Sequence, residues 1–108
     1  MTVNEFAKVL ELEQLNIADG DRKINGAYAG DLLSWVMGRT AGDNVWVTIM
    51  TNLNICAVAS LADVACIVIA DNAEVMKEVT DTAKNKNINL LRSPLPMYEL
   101  CVNINKVI

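Results

Sequence analysis

The fold of this 108-residue chain is decided by the stretch VACIVIA, residues 64–70. Every residue in it is apolar, and it is bounded by Asp63 and Asp71. A continuous apolar run of this length predicts a strand that is buried on both faces, as in the centre of a parallel sheet. The run is too short to span a membrane, and Ser60 and Asp63 interrupt the apolar sequence before it.

Helices are predicted on both sides of this strand. Before it, apolar residues recur with helical spacing at Ile55, Val58, Ala59 and Ala62. After it, Asp71 is predicted to cap a helix, with Glu74 in the capping-box position and Asn87 as a left-handed stop. Two further strands are predicted at residues 45–50, whose side chains alternate between two faces, and at residues 88–91.

The remaining elements are shorter. A helix over residues 3–11 is predicted to begin at Thr2, with Glu5 completing a capping box. Short strands are predicted near residues 15–18 and 24–28, then a helix from Gly30 or Asp31 through Met37 that Gly38 stops, and a last helix with Pro96 at its first position. Alternation of strands and helices predicts an α/β fold with three layers, α/β/α, around a mainly parallel sheet. We expect a single domain over residues 1–108.

Composition excludes several kinds of chemistry. The chain has no histidine, so it cannot contain a Ser-His-Asp triad, a Cys-His dyad or a histidine-ligated metal site. Hydrophobic residues make up 53% of the chain, charged residues only 20%, and the net charge is −4. An acidic chain is not expected to bind nucleic acid or an anionic membrane.

Cysteine usage indicates a reducing compartment. Cys56, Cys66 and Cys101 form no CxxC pair and stand among apolar residues, so we interpret them as small core residues. No signal peptide is visible in the charged amino-terminal sequence, and we expect a soluble, cytoplasmic protein. Neither a metal nor a cofactor is expected.

Polar residues follow the predicted parallel strands, where α/β proteins bind ligands. The candidate ligand-binding residues are Tyr28, Asp31, Thr51, Asn52, Asp71, Asn72 and Ser93. Helix N-termini at this edge could attract a phosphate or another anion. Alternatively, Asp71 and Asp31 simply cap those helices, in which case their carboxylates would repel an anion.

Other polar features favour structure over catalysis. Gly26 and Gly30 match no phosphate-binding motif, and we interpret them as a bend close to a neighbouring segment. The carboxylate pairs Glu11/Glu13 and Asp19/Asp21 are expected to be solvated. No lysine follows a strand, and no nucleophile has a basic partner, so we predict that the domain is not an enzyme.

Two segments carry a resemblance to a known family. They are GAYAGDLLSWVMGRTAGDNVWVTIMTNLNICAVASLADVACIVIAD (residues 26–71) and AKNKNINLLRSPLPMYEL (residues 83–100). They resemble the short stand-alone members of the DRTGG domain family, and the resemblance extends over nearly the whole chain. It implies a fold like that of the N-terminal domain of the kinase that phosphorylates HPr on serine. The Asp-Arg pair that names the family is absent near residues 51–54, and Asp71-Asn72 stands in place of its Gly-Gly.

The resemblance implies regulation, ligand sensing or subunit assembly. We therefore expect a non-catalytic regulatory or assembly module, acting as a homodimer and serving a metabolic or signalling enzyme. The alternative is a sensor that binds a nucleotide or other anion at the carboxyl ends of the strands.

Overall fold

The predicted alternation of strands and helices is present in the computed structural model, which describes all 108 residues. The elements are α1 (Val3–Val9), β1 (Glu13–Asn16), β2 (Ala27–Ala29), α2 (Leu33–Arg39), β3 (Val45–Thr48), α3 (Asn54–Ala62), β4 (Cys66–Ile69), α4 (Lys77–Asn85), β5 (Leu90–Arg92) and α5 (Met97–Val107). None of the five helices is long and apolar enough to cross a bilayer.

The five strands form one sheet in the order β1-β5-β4-β3-β2. Strands β2 to β5 are parallel, and β1 joins β5 in antiparallel orientation. Each parallel strand lies beside the next one in the chain, so right-handed crossovers place α2, α3 and α4 on the same face of the sheet. Helices α1 and α5 cover the other face. The predicted three-layer α/β/α fold with a mainly parallel sheet is confirmed.

The sheet separates two cores of similar size. The buried run over β4 supplies both, because alternate side chains point to opposite faces. Cys66 and Val68 pack with α1 and α5 in what we call the α5-side core, whereas Ile67 and Ile69 pack with α2, α3 and α4 in the α3-side core. Strand β3 divides in the same way, with Trp46 in the α3-side core.

The predicted start of α4 is wrong. Helix α4 begins at Lys77, six residues after Asp71, and neither Asp71 nor Glu74 caps it. Asp71 and Asn72 have left-handed backbones, with φ of 58° and 51°. Their N–H groups donate to the carbonyls of Leu95 and Ser93, at 2.8 Å each. These tertiary bonds hold the segment in a loop. A left-handed backbone at Asp71 is also unsuited to capping, because an N-cap residue usually has an extended backbone.

Helix α2 also differs from its prediction. It begins at Leu33 without a side-chain cap and continues to Arg39, so Gly38 lies inside it and Thr40 ends it. An isolated glycine weakens a helix without stopping it. At α5, Pro96 is the N-cap residue, one position before its predicted place.

Other local predictions are confirmed. Thr2 N–H donates to Glu5 Oε1 at 2.8 Å, and Glu5 N–H donates to Thr2 Oγ1 at 3.1 Å, which completes the capping box. The backbone bond from Thr2 lowers the pKa of the Glu5 carboxyl. Asn87 has a left-handed backbone, with φ of 58°, and directly follows Lys86, the C-cap residue of α4.

Candidate functional site

The carboxyl ends of the four parallel strands form one edge of the sheet, and the segments that follow these strands meet there. Backbone hydrogen bonds connect them in sequence across the sheet. Ala70 N–H donates to Thr48 O at 3.0 Å, and Ser93 N–H donates to Ile69 O at 2.8 Å. The convergence expected for a parallel sheet is therefore present. Three of the candidate side chains at this edge, those of Asp31, Asn52 and Ser93, hydrogen-bond to the protein itself.

Asp31 bonds to the end of β3. Its Oδ1 accepts a hydrogen bond from Thr48 Oγ1 at 2.7 Å and from Ile49 N–H at 2.9 Å. It does not cap α2, so that part of the prediction is wrong. Thr48 is completely buried, and its hydroxyl has the Asp31 carboxylate as its acceptor. Asp31 thereby joins the loop after β2 to the loop after β3.

Asn52 bonds to the start of α3, whose N-cap residue, Leu53, makes no side-chain cap bond. The Oδ1 of Asn52 accepts a hydrogen bond from Asn54 N–H at 2.9 Å, and its carbonyl accepts one from Ile55 N–H at 3.2 Å. The amide oxygen is thus used in an Asx turn. The neighbouring Thr51 is half-buried, and its hydroxyl makes no hydrogen bond to the protein.

Ser93 and Tyr28 lie far apart along this edge. Ser93 is buried, and its Oγ accepts a hydrogen bond from Leu95 N–H at 3.1 Å. Tyr28 belongs to β2, three strand positions away, which is about 14 Å at the usual spacing of neighbouring strands. The Tyr28 ring lies against Gly30. The two predicted site residues do not share one small pocket.

Asp71 and Asn72 present exposed side chains beside this edge. Because α4 starts only at Lys77, the Asp71 carboxylate does not occupy that helix's amino terminus. The prediction that a capping Asp71 would repel an anion from the start of this helix therefore does not apply.

Arg92 is a strand-end cation that the sequence prediction missed. Its Nη2 donates to both carboxylate oxygens of Glu13, at 2.8 and 3.0 Å, and its Nε donates to Glu13 Oε1 at 2.9 Å. Its Nη1 also donates to Ala73 O at 3.1 Å, in the loop after β4. Glu13 is therefore ion-paired, not merely solvated as predicted. In the sequence, the only indication that Arg92 belongs to this site is its position immediately before Ser93.

The larger of two cavities lies beside β2, away from every candidate ligand residue except Tyr28. It is an apolar groove of about 380 Å³ between β2, β3 and the carboxyl end of α5. The residues that line it are Gly26, Ala27, Tyr28, Ala29, Val47, Cys101, Ile104, Asn105 and Ile108. Of the seven candidate ligand residues, only Tyr28 is among them.

Gly26 shapes the start of this groove. It has φ of 83°, and a Cβ built on it would lie 3.1 Å from the Asn44 side-chain amide. The predicted close approach to a neighbouring segment is confirmed at this position.

The second cavity, of about 90 Å³, lies at the amino ends of the strands. Arg22 borders it and donates to Asp43 Oδ1 and Asp63 Oδ1, at 2.9 Å each. Burial alone lowers the pKa of Arg22, but these two carboxylates outweigh it and raise the pKa. Nearby Asn89 is buried and fully hydrogen-bonded.

The three cysteines are unpaired thiols. Cys56 and Cys66 are buried as predicted, and Cys101 is partly exposed at the groove. Burial raises the pKa of all three, that of Cys66 to about 12. No cluster of three or more Cys, Asp or Glu side chains has a geometry that could hold a metal ion.

No protein-family model matches this chain, and no curated protein matches it significantly. One similar solved structure contains the CBS and DRTGG domains of the regulatory region of Clostridium perfringens pyrophosphatase, complexed with its activator, diadenosine tetraphosphate. The two align with a TM-score of 0.70 and 15% identity. The alignment covers 94% of this chain and 44% of that one, so this chain matches less than half of its length. At this identity the likeness shows a shared fold, which supports the DRTGG resemblance at the level of fold.

Proposed function

We propose that this domain is a non-catalytic regulatory or assembly module that acts as a homodimer. One observation carries the proposal. Three polar side chains at the strand ends, those of Asp31, Asn52 and Ser93, bond to the protein's own backbone, whereas the accessible groove is apolar and lies beside β2. Such a surface is suited to binding another chain.

Three strand-end side chains already bond to the protein itself. Asp31, Asn52 and Ser93 each accept a hydrogen bond from a backbone N–H group nearby. A nucleophile needs an adjacent base, and the chain has no histidine to act as one. The edge is therefore better suited to holding loops in place than to catalysis.

The fold comparison agrees with a regulatory role. The similar structure is the regulatory region of a pyrophosphatase, solved with an activator. By analogy, we propose that this domain serves a metabolic or signalling enzyme in the cytoplasm, as a single domain over residues 1–108. Light scattering at micromolar concentration tests the homodimer, and a monomer at all concentrations would contradict it.

A second candidate function is supported by Arg92. We propose as an alternative that the strand-end edge senses a nucleotide or another anion, with Arg92 supplying positive charge beside Asp71, Asn72 and Ser93. An anion would have to compete with Glu13 for the guanidinium. The structure with a similar fold was solved with a dinucleotide, although that ligand is a property of that protein.

A thermal-shift screen of nucleotides, including diadenosine tetraphosphate, tests this alternative. A ligand at 100 times its dissociation constant should add about 2.7 kcal/mol to the free energy of unfolding. The shift should disappear in Arg92→Met and persist in the control Arg39→Met, whose guanidinium stacks on Trp35. Absence of a shift across the panel would exclude the sensor function for these ligands.

A further inference from the structure

Strand β2 leaves hydrogen-bonding groups unpaired along its outer edge. Gly26 O accepts from Val45 N–H, and Gly30 N–H donates to Val47 O, at 3.0 Å each. In a parallel ladder, bonding residues alternate along the strand. The N–H and C=O groups of Ala27 and Ala29 therefore point away from β3, and no strand lies beyond them.

The two edges of the sheet are protected to different degrees. Proteins usually shield exposed edges with charged side chains, proline or bulges. Strand β1 carries Glu13, and its register with β5 shifts between Gln14 and Asn16. Strand β2 is Ala-Tyr-Ala between two glycines, with neither a charge nor a proline. The β2 edge is thus the one at which a further strand could pair.

The surfaces on either face of β2 suit a partner strand. Ala27 and Ala29 line the apolar groove, together with Ile104 of α5 and Ile108, which follows that helix. Tyr28 points to the opposite face and packs against the α3-side core. A strand placed against β2 would extend the sheet and cover the open side of the groove.

We propose that a second copy of this chain occupies this edge, so that two β2 strands pair in antiparallel orientation across a two-fold axis. This inference rests on the homodimer in the proposed function and gives it an interface. The register places Ala27 of one protomer opposite Ala29 of its partner, with the two Tyr28 residues on the axis. All the outward backbone groups of both strands then pair, in four hydrogen bonds.

Other two-fold registers satisfy fewer of these groups. If Ala27 lies opposite its own copy, Ala29 faces Asn25, whose N–H already donates to Asp43 O at 2.9 Å. The register centred on Tyr28 is also favourable for charge, because it brings Asp31 opposite Asn25 and never opposite another carboxylate. That matters for two chains that each carry a net charge of −4.

Disulfide trapping tests this register. Tyr28 pairs with its own copy at a position without hydrogen bonds, where Cα atoms lie about 4.5 Å apart, within the range that a disulfide spans. In a Cys101→Ser background, Tyr28→Cys should form a covalent dimer under mild oxidation. Gln14→Cys, at the exposed opposite edge, is the matched control and should remain a monomer on a non-reducing gel.

A proline variant tests the edge independently, in case Tyr28→Cys destabilises the fold. Ala29→Pro removes an outward N–H group and no bond within the protomer, and proline is tolerated on an edge strand in that position. We expect an unchanged circular dichroism spectrum and a dimer dissociation constant raised at least about tenfold, because the two-fold axis removes two hydrogen bonds at once. Ala29→Ser keeps the N–H group and should remain a dimer.

The possible results separate this inference from the proposed function. Trapping at position 28 together with dissociation of Ala29→Pro supports the interface. If the wild-type protein is a dimer, but Tyr28→Cys is not trapped and Ala29→Pro still dimerises, the β2 interface is overturned and the homodimer stands. A wild-type monomer would overturn both.

Discussion

The Asp31 carboxylate accepts a 2.7 Å hydrogen bond from the hydroxyl of Thr48, which is completely buried at the end of β3. The same carboxylate oxygen accepts a bond from Ile49 N–H at 2.9 Å. Asp31, which the sequence predicts as a ligand-binding residue or a helix cap, therefore connects two strand-end loops.

Asp31→Ala should lower the free energy of unfolding by about 2 kcal/mol, because a hydrogen bond to a charged group is lost and the Thr48 hydroxyl is left buried without its acceptor. Urea denaturation measures the change. Asp21→Ala removes an exposed carboxylate without a hydrogen-bond partner and should change stability by less than about 0.5 kcal/mol.

A double-mutant cycle with Thr48→Val isolates the pair. If the contact stabilises the fold, Asp31→Ala should cost less in the Thr48→Val background, by roughly 1 kcal/mol. Strictly additive effects would show that the Asp31 carboxylate acts elsewhere.

Asn89 should be the polar side chain most sensitive to substitution. Its Nδ2 donates to Asp19 O at 2.8 Å and Ala65 O at 2.9 Å, while its Oδ1 accepts from Ala18 and Asp19 N–H. Asn89→Asp has the same shape but places an oxygen against two carbonyls. We expect a loss of about 3 kcal/mol in chemical denaturation. Asn85→Asp, at an exposed position outside the groove, is the control, and an equal loss there would refute this explanation.

Glu13→Gln should lower stability by up to about 1 kcal/mol, because Glu13 is half-exposed in its ion pair with Arg92. The loss should shrink in concentrated salt, since screening weakens exposed ion pairs. Glu11→Gln changes a nearby carboxylate without an ion pair and should have little effect. Thermal unfolding at low and high salt measures both, and a loss that does not depend on salt would indicate a packing role for Glu13.

Alkaline pH should weaken the fold partly through Cys66. Burial raises the pKa of this thiol from 9.0 to about 12. Between these values the folded protein keeps the proton and the unfolded chain releases it, so stability present below pH 9 is lost as the pH rises. Cys66→Ala should reduce the slope of unfolding free energy against pH by about 1.4 kcal/mol per unit. Equal slopes in the two proteins would contradict the assigned shift.

The fold was predictable because its strongest signal is local. The apolar run over residues 64–70 is buried throughout, and its core, Cys66–Ile69, forms the central strand. The alternation over β3 divides between the two cores as its period requires. The capping box at Thr2 involves residues three apart, so its geometry is contained in the sequence pattern.

The candidate site was less predictable because its contacts join distant residues. Glu13 and Arg92 lie 79 positions apart, and the antiparallel pairing of β1 with β5 brings them together. Asp71 resembled a helix cap in its local sequence, but backbone bonds to Leu95 and Ser93 hold it in a left-handed loop. The groove beside β2 likewise depends on tertiary structure, because it forms where the carboxyl end of α5 lies over the sheet.

Binding of a second copy of this domain is tested most directly by the mass of the unmodified protein. Light scattering across a dilution series at micromolar concentrations measures it. A homodimer should have twice the 11.8 kDa mass of the chain, falling toward that mass only on dilution. A mass of 11.8 kDa throughout the series would contradict it.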